Sequence, residues 1–309
     1  LNPKYLMGTG KIKELIIRAL QNEATLLIFD QELTPTQTRE LGEITELKVI
    51  DRTQLILDIF ARRAHSRDGK VQVELAQLKY LLSKLTGKGT ALSRLAGGIG
   101  GRGPGETKLE VDRRRVQDRI TRLEKELATL SRGRYERRKK RGFSNMPIVS
   151  IVGYANAGKS TLLNALTKSS TLVEDKLFAT LDTASRRLRF PREREAVITD
   201  TVGFIRRMPE DLFKAFRSTL EEMEDADLLL HLVDVSAPKF EDRIKEVEKV
   251  LSELKLDSIP ALMVFNKADK ADPVVAKNLA QRQGAVLVSA IDPSTLLPLT
   301  AELGKRLWH

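Results

Sequence analysis

Residues 153–160 of this chain read GYANAGKS, and this motif indicates the architecture of the C-terminal half. It follows the apolar run PIVSIVG (147–153) and precedes the helical pattern TLLNALT, so it lies between a buried strand and a helix. In this GxxxxGK[ST] pattern the glycines let backbone N–H groups approach a phosphate chain, and the helix adds the positive end of its dipole. A Gly-rich structural turn is the alternative, but the flanking strand and helix favour a phosphate-binding loop.

Two side chains of this loop have distinct chemical tasks. Lys159 is expected to reach the β- and γ-phosphate oxygens, and Ser160 is expected to ligate Mg²⁺. The sequence therefore predicts a phosphate site that comprises the loop and the residue after it: Gly153, Tyr154, Ala155, Asn156, Ala157, Gly158, Lys159, Ser160 and Thr161.

A second motif, DTVG at residues 200–203, follows the strand-like run AVIT. A carboxylate at the strand end lies near the metal, and the N–H of a glycine there can bond a γ-phosphate. The pattern predicts a sensor of the third phosphate made of Asp200, Thr201, Val202 and Gly203. We count Lys159, Asp200 and Gly203 among the catalytic residues.

Phe204 stands where related switches carry a glutamine that orients the attacking water. A phenyl ring does not orient water in this way, so we expect the isolated protein to hydrolyse the bound phosphate chain slowly. A simple structural role, in which Phe204 packs this segment against an apolar neighbour, is compatible with that expectation.

A third motif, NKAD, follows the run ALMVF and contains Asn266, Lys267, Ala268 and Asp269. A carboxylate there can accept hydrogen bonds from both the ring N–H and the amino group of guanine, which adenine does not offer in that arrangement. The motif therefore favours GTP over ATP, although an isolated NKxD could also cap a helix. Backbone N–H groups of Ser289 and Ala290, after the run AVLV, would complete the base pocket.

The runs IVSIV, AVIT, DLLLHLVD, ALMVFN and AVLVSA alternate with helical segments from residue 147 onward. Near-continuous apolar runs are typical of strands covered on both faces. The sequence thus predicts the α/β class, with a doubly wound P-loop domain over 147–309 and ligand sites at the C-terminal strand ends.

A different organisation is predicted for residues 1–146. A small α/β unit, about 1–65, carries the strands TLLIF (25–29) and LKVID (47–51), which we expect to be parallel. A long antiparallel helical hairpin follows over about 66–142, because leucines repeat at helical spacing. We expect the Gly-rich segment 87–108 to be an exposed loop and the basic segment 131–145 to be a linker.

Charge differs sharply between these halves: residues 1–146 carry 30 Lys and Arg against 18 Asp and Glu, or +12, whereas 147–309 carry 23 against 24, or −1. A basic half indicates contact with a polyanion, although basic residues can also simply solvate long helices. We take as RNA-contact candidates Arg102, Lys108, Arg113, Arg114 and Arg115.

Several function classes lack support in the sequence. With no cysteine there is no disulfide or thiolate zinc site. The three histidines form no metal-ligand pattern, and His231, inside an apolar run, is expected in the core. We find no signal peptide and no apolar run of the ~20 residues that a membrane span needs. Since the first residue is Leu1 rather than Met, the question whether a segment precedes it stays open.

In order and spacing, the three motifs resemble those of translation-factor-related GTPases, and LFATLD (177–182) resembles the first switch of the Obg/HflX superfamily. The segment 65–116, with its Gly-rich block, closely resembles the HflX family of ribosome-associated GTPases. The resemblance implies that Thr180 is a catalytic residue and the second Mg²⁺ ligand in the GTP state, whereas the residues alone do not choose between Thr180 and Thr183. It also adds a group to the nucleotide site: Phe178, Ala179, Thr180, Leu181 and Asp182.

By this resemblance we expect GTP and GDP with Mg²⁺ as ligands, and ribosomal RNA of the large subunit as the partner. The implied role is the splitting or recycling of stalled or stressed ribosomes, with hydrolysis stimulated by the ribosome. We expect a cytoplasmic protein with a membrane- or ribosome-associated fraction and no DNA partner, and the oligomeric state stays open. An RNA-remodelling ATPase and a nucleotide-switched protein scaffold are the alternatives.

The resemblance is weaker at two places. The loop IDPSTLLPLT (291–300) lacks the glycine often found there, which affects only the expected turn geometry. Members of the family usually have more sequence upstream of LNPKYLMGTGK, so we expect the N-terminal sheet to lack a strand.

Overall fold

The computed structural model of the chain describes residues 5–93, 108–141, 146–168, 184–206, 213 and 220–308. Two compact units can be distinguished. The first comprises Leu1–Arg62 with Lys70–Ala128, and the second comprises Arg63–Gly69 with Thr129–His309. The domain boundary near residue 146 stays a prediction.

The first unit contains a two-stranded parallel sheet, β1 (Leu26–Phe29) and β2 (Lys48–Asp51), as the sequence indicated. Three helices accompany it: α1 (Thr9–Gln21), α2 (Pro35–Thr45) and α3 (Arg52–Arg63). A small core is formed by Ala19 of α1, Leu41 of α2, Leu27 and Val49 of the two strands, and Leu33 between β1 and α2.

The start of α2 follows directly from its sequence. Thr34 accepts a hydrogen bond from the N–H of Gln37, and the Gln37 side chain accepts one from the N–H of Thr34, which makes a capping box. Pro35 occupies the first helical turn, where its missing N–H costs nothing. The helix therefore begins at Pro35, directly after its cap at Thr34.

Two long helices follow, α4 (Arg67–Ser93) and α5 (Lys108–Arg141), and the first unit contains most of each. Both run further than the sequence suggested. The helix α4 continues to Ser93, into the Gly-rich segment assigned to a loop, and α5 continues to Arg141, into the basic segment assigned to a linker. Lys, Arg, Glu, Ala and Leu are good helix formers, and scattered glycines cost only about 1 kcal/mol each. Residues 94–107 of the Gly-rich segment lie outside the described residues.

Ion pairs join α4 to α5 at Arg119–Glu74 and Lys79–Glu124. Arg119 donates two hydrogen bonds to the Glu74 carboxylate, at 2.8 and 3.0 Å. Between two antiparallel helices, a partner further along α4 would contact a residue further back along α5. In these two ion pairs the partner on α5 instead moves forward with the partner on α4. The antiparallel arrangement of the predicted hairpin therefore stays a prediction.

The buried carboxylate of Asp51, at the end of β2, ties α4 to the sheet. It accepts hydrogen bonds from the N–H groups of Leu33 and Gln54 at 3.1 and 2.9 Å, and from Tyr80 Oη at 2.7 Å. Burial alone would raise the pKa of Asp51, but these hydrogen bonds and the nearby Lys84 ammonium hold it below its usual value. The same environment raises the pKa of the Tyr80 hydroxyl.

The second unit is built on a six-stranded sheet with strand order β4-β5-β3-β6-β7-β8. All neighbouring strands are parallel except β4 and β5. The strands are β3 (Ile148–Gly153), β4 (Ala184–Arg189), β5 (Glu195–Asp200), β6 (Leu228–Asp234), β7 (Ala261–Asn266) and β8 (Val286–Leu287).

Helices cover both faces of this sheet, which is the doubly wound arrangement that the apolar runs predicted. One face packs against α6 (Lys159–Thr167) and α9 (Leu296–Leu307). The other packs against α7 (Phe240–Glu253) and α8 (Pro273–Gln283). His231 is buried in β6, and burial lowers its pKa to about 4, so it is a neutral core residue at physiological pH.

The antiparallel strand β4 was missed by the sequence analysis. Its sequence, ASRRLR, has a single buried apolar residue, Leu188, among exposed or half-buried positions. Charged side chains are common on edge strands, where they discourage pairing with other chains. An edge strand of this kind has no apolar run by which to recognise it. Within the described ranges, no helix is long and apolar enough to cross a membrane.

Candidate nucleotide site

Four of the predicted segments meet at the C-terminal edge of the sheet. The loop 153–158 follows β3, DTVG follows β5, NKAD follows β7, and Ser289–Ala290 follows β8. Next to β3 the strand order reverses, since β5 lies on one side and β6 on the other. Ligands bind at such switch points in doubly wound sheets, because two adjacent loops diverge there.

The loop after β3 has no room for side chains at two of its glycines. A Cβ on Gly153 would lie 2.3 Å from the carbonyl oxygen of Leu232. A Cβ on Gly158 would lie 2.3 Å from Asn266 Nδ2, and Gly158 has a φ of +94° that favours glycine. The close approach of backbone that a phosphate chain requires is therefore built into this loop.

Lys159 opens α6 and its side chain is buried, with 6% of its surface exposed. Its Nζ donates to the carbonyl oxygens of Gly153 and Tyr154 at 3.2 and 3.1 Å. Burial lowers the pKa of Lys159 to about 8, and the Asp200 carboxylate opposes that shift. A cation held in a dry cradle of this kind interacts strongly with an incoming anion.

Ser160 and Asp200 meet although they are far apart in sequence. Ser160 Oγ donates to Asp200 Oδ2 at 2.7 Å, and Asp200 is 1% exposed. Mg²⁺ prefers oxygen ligands. It usually binds only one or two protein side chains, and water and phosphate oxygens supply its other ligands. A serine hydroxyl oriented by a buried carboxylate fits that ion. Among the described residues no three His, Cys, Asp or Glu side chains cluster as a metal site.

Gly203 lies directly against the phosphate loop. A Cβ at this position would be 2.9 Å from both Lys159 Nζ and Ala155 Cα, so only glycine fits without displacement. The hydroxyl of Thr201 donates to the carbonyl oxygen of Ile151 at 2.7 Å and anchors the start of this segment on β3. The structure thus brings the DTVG motif and the loop lysine together.

The Phe204 ring is enclosed by apolar side chains and is 1% exposed. Its neighbours in this core include Val152, Met223 and Val247. The backbone of Phe204 is also bonded to the loop, since its N–H donates to Gly153 O at 3.1 Å and its carbonyl accepts from Ala155 N at 2.6 Å. The packing role considered for Phe204 is what the structure has.

Asn266 joins three segments rather than presenting a free carboxamide. Its Nδ2 donates to the carbonyl oxygen of Ala157 at 2.8 Å, and its Oδ1 accepts from the N–H of Ala290 at 2.9 Å. The N–H of Ser289 donates to Thr295 Oγ1 at 2.9 Å. Hence the two N–H groups expected to complete the base pocket make bonds within the protein here, and Asn266 braces the loops.

Asp269 and Lys267 are held in place by partners from neighbouring strand ends. Asp269 Oδ1 accepts from Ser289 Oγ at 2.5 Å. Lys267 Nζ pairs with Asp234 Oδ2 at 2.9 Å, and Asp234 is the last residue of β6. Asp234 was not predicted as a site residue. A carboxylate at the end of the apolar run 228–234 is the feature of the sequence that could have indicated it.

The loop after Ser289 is ordered without the glycine whose absence the sequence analysis noted. Asp292 accepts hydrogen bonds from the N–H and hydroxyl of Ser294, and Thr295 Oγ1 donates to the carbonyl oxygens of Ser289 and Asp292. Side-chain hydrogen bonds thus take over the turn that a glycine would otherwise make.

The predicted first switch lies outside the described residues, and with it Phe178, Ala179, Thr180, Leu181, Asp182 and the competing Thr183. Arg102 and the side chain of Lys108 also lie outside them. On α5, Arg113, Arg114 and Arg115 are exposed, whereas Arg119 is engaged by Glu74. The roles of these residues stay predictions.

Three family descriptions match successive parts of the chain. Residues 1–61 match "GTP-binding GTPase N-terminal", residues 63–141 match "GTP-binding GTPase Middle Region", and residues 148–267 match "50S ribosome-binding GTPase". Together they follow the order of the α/β unit, the long helices and the P-loop sheet.

Solved structures support the same fold. The structure of SsGBP in complex with GDP has 25% sequence identity and a TM-score of 0.53, and the match covers 98% of this chain and 86% of that one. A GTP-binding protein from Sulfolobus solfataricus in complex with GDP has 25% identity and a TM-score of 0.51, over 99% of this chain and 87% of that one.

Curated relatives named GTPase HflX are similar over most of the chain. The protein from Caldanaerobacter subterraneus is 53% identical over 90% of this chain and 65% of its own length. That from Alkalihalophilus pseudofirmus is 49% identical over 97% and 71%, and that from Escherichia coli is 43% identical over 99% and 72%. The chain spans about two thirds of the length of these relatives. Identity at this level over this extent shows that the chain belongs to the HflX family of GTPases.

Proposed function

We propose that this chain binds and hydrolyses GTP with Mg²⁺ at the C-terminal edge of its six-stranded sheet. The observation that carries the proposal is the convergence of distant motifs on one point. Ser160 bonds Asp200 at 2.7 Å, a Cβ on Gly203 would touch Lys159, and Asn266 bonds Ala157 at 2.8 Å. Phosphoryl transfer requires mainly positioning and charge stabilisation, which this arrangement can supply.

Each residue of the site has a distinct task in this proposal. Lys159 holds the β- and γ-phosphate oxygens, Ser160 ligates the metal, and the N–H of Gly203 bonds the third phosphate. Bound Mg²⁺ supplies a Lewis acid that neutralises charge developing on the phosphates. Thr180 would be the second protein ligand of the metal in the GTP state. Because the buried Phe204 offers no hydrogen bond to water, turnover by the isolated protein is slow and a partner accelerates it.

The depressed pKa of Lys159 predicts a specific pH dependence of nucleotide binding. Burial brings this pKa to about 8 in the free protein, whereas the nucleotide needs the charged ammonium. The charged form is present below pH 8 and is lost above it, so the affinity for GDP with Mg²⁺ should fall about fourfold from pH 6.5 to pH 8.5. Calorimetry in buffers of different ionisation enthalpy should detect uptake of about half a proton per GDP at pH 8. Binding without proton uptake would contradict the assigned charge of the free lysine.

We further propose that the chain associates with the large ribosomal subunit through its basic N-terminal half and acts on stalled or stressed ribosomes by splitting or recycling them. The excess of +12 in residues 1–146 and the exposed side chains of Arg113, Arg114 and Arg115 support contact with RNA phosphates. The family description "50S ribosome-binding GTPase" over 148–267 supports the same partner. This function places the protein in the cytoplasm, with a ribosome-associated fraction.

Co-sedimentation with separated ribosomal subunits tests the partner. With a non-hydrolysable GTP analogue the protein should pellet with the large subunit, and with GDP it should pellet less. Pelleting with neither subunit would favour a protein scaffold, and equal support by ATP and GTP analogues would favour an RNA-remodelling ATPase. Either result would contradict the proposed ribosomal role.

Charge reversal on α5 tests the RNA contact. Replacing Arg113, Arg114 and Arg115 by Glu should weaken binding to the large subunit at least tenfold at low salt. The slope of log affinity against log salt should fall by about 2 to 3, because each phosphate contact contributes about 0.7 to 0.9. A matched control reverses Lys11, Lys13 and Arg18 on α1, which is the same change in net charge. An equal loss of affinity for the large subunit in both triple variants would mean that only net charge matters, and it would contradict a local contact at Arg113 to Arg115.

A further inference from the structure

The second residue of the phosphate loop, Tyr154, carries an aromatic side chain that makes two contacts away from the loop itself. Its hydroxyl accepts a hydrogen bond from the N–H of Arg206 at 2.8 Å. The guanidinium of Arg243, on α7, lies 5.2 Å from the centre of its ring. Tyr154 is half-buried, so both contacts form at the edge of the core rather than in open solvent.

These contacts extend a short pairing between the loop and the segment after DTVG. Two backbone bonds join the partners, Phe204 N–H to Gly153 O at 3.1 Å and Ala155 N–H to Phe204 O at 2.6 Å. The parallel pairing then stops, since Tyr154 and Phe204 form an isolated bridge. Two residues after Phe204, the N–H of Arg206 donates to the Tyr154 hydroxyl.

Arg243 restricts where that hydroxyl can lie. A guanidinium over the face of a tyrosine is attracted by the ring and limits the rotation of the side chain. Arg243 belongs to a helix whose other face is buried through Ile244 and Val247, so its own position is fixed by the core. The loop, α7 and the segment 203–206 are therefore connected through one side chain.

We propose that Tyr154 is a positioning residue for GTP hydrolysis: its hydroxyl fixes the segment that follows Gly203 against the phosphate loop, and its ring is held by Arg243. This inference rests on the proposed GTP hydrolysis. The Tyr154 hydroxyl bonds the backbone of the segment that begins at Gly203, and Gly203 lies beside Lys159, so the side chain acts through that glycine. The backbone of Tyr154 belongs to the predicted phosphate site, whereas its hydroxyl affects the step that needs the third phosphate.

Replacing Tyr154 by Phe removes only the hydroxyl, and replacing it by Leu also removes the ring, so the two variants separate their contributions. In single-turnover assays Y154F should hydrolyse GTP about fivefold more slowly than wild type, the loss typical of one neutral hydrogen bond. Any loss of GDP affinity should be smaller than the loss of rate, because GDP lacks the phosphate that Gly203 senses. Y154L, which also loses the ring contact, should be at least as slow. A wild-type rate for Y154F beside a slow Y154L would overturn the proposal and leave a packing role only.

A readout independent of hydrolysis is the exchange rate of the Arg206 amide hydrogen. Losing its acceptor should speed this exchange about fivefold in Y154F, and an unchanged rate would overturn the proposal. Should wild-type protein hydrolyse no GTP, the proposed function fails and the amide exchange alone decides this contact. The matched control is Tyr80→Phe in the other compact unit, which loses its bond to Asp51 and should lower stability while leaving the hydrolysis rate unchanged.

Discussion

Replacing Lys159 by alanine is expected to weaken the binding of both GTP and GDP at least 100-fold and to leave no measurable hydrolysis. The ammonium is the buried cation of the loop and lies beside Gly203. Each charge-assisted hydrogen bond to a phosphate contributes about 1.5 to 3 kcal/mol, so losing two costs at least a factor of 100. Isothermal calorimetry with Mg²⁺ measures the affinities, and single-turnover assays measure the rate.

The control for this substitution is Lys168→Ala, at the end of the same helix. Lys168 is exposed, so its removal changes the charge equally and should alter nucleotide affinity less than twofold. Thermal unfolding of the free proteins shows whether each variant is folded. GDP affinity of Lys159→Ala within tenfold of wild type would mean that the phosphates lie elsewhere.

Replacing Asp269 by asparagine is expected to weaken GTP binding about 100- to 1000-fold and to reverse the choice of base. The carboxylate accepts from two guanine donors, and leaving donors without an acceptor in a polar site is strongly disfavoured. Xanthine has a carbonyl where guanine has its amino group, and an asparagine amide can donate to that carbonyl. Competition against labelled GDP with GTP, ATP and xanthosine triphosphate should show the xanthine nucleotide as the best competitor of the variant.

Asp272→Asn is the matched control for the base site. Asp272 lies on the same loop but caps α8, because its carboxylate accepts from the N–H groups of Val274 and Val275. Asparagine caps helices nearly as well, so stability and base selection should both stay unchanged. If Asp269→Asn still preferred GTP over the xanthine nucleotide, Asp269 would not be the guanine-reading carboxylate.

Local patterns were sufficient for most elements of the fold. The alternating apolar runs predicted five strands of the large sheet. Prediction failed where tertiary context overrides local preference. The Arg-rich β4 has almost no buried face, and the Gly-containing ends of α4 and α5 continue as helix beyond the residues assigned to them.

Of the candidate site, residue types could be predicted but not all of their partners. Lys159 and Asp269 follow from the chemistry of phosphates and guanine. Asn266 was expected beside the base, yet its carboxamide braces Ala157 and Ala290. Asp234, which holds Lys267, was missed because its partner comes from another strand end.

Neighbouring residues were enough to predict that a glycine-rich loop joins a buried strand to a helix. The sequence also showed that the charge is concentrated in the first half of the chain. The folded chain was needed to see which distant groups meet: Ser160 with Asp200, Asn266 with Ala157, and Tyr154 with Arg206. Such contacts depend on strand order and on close approach at Gly158 and Gly203, and no local pattern specifies either.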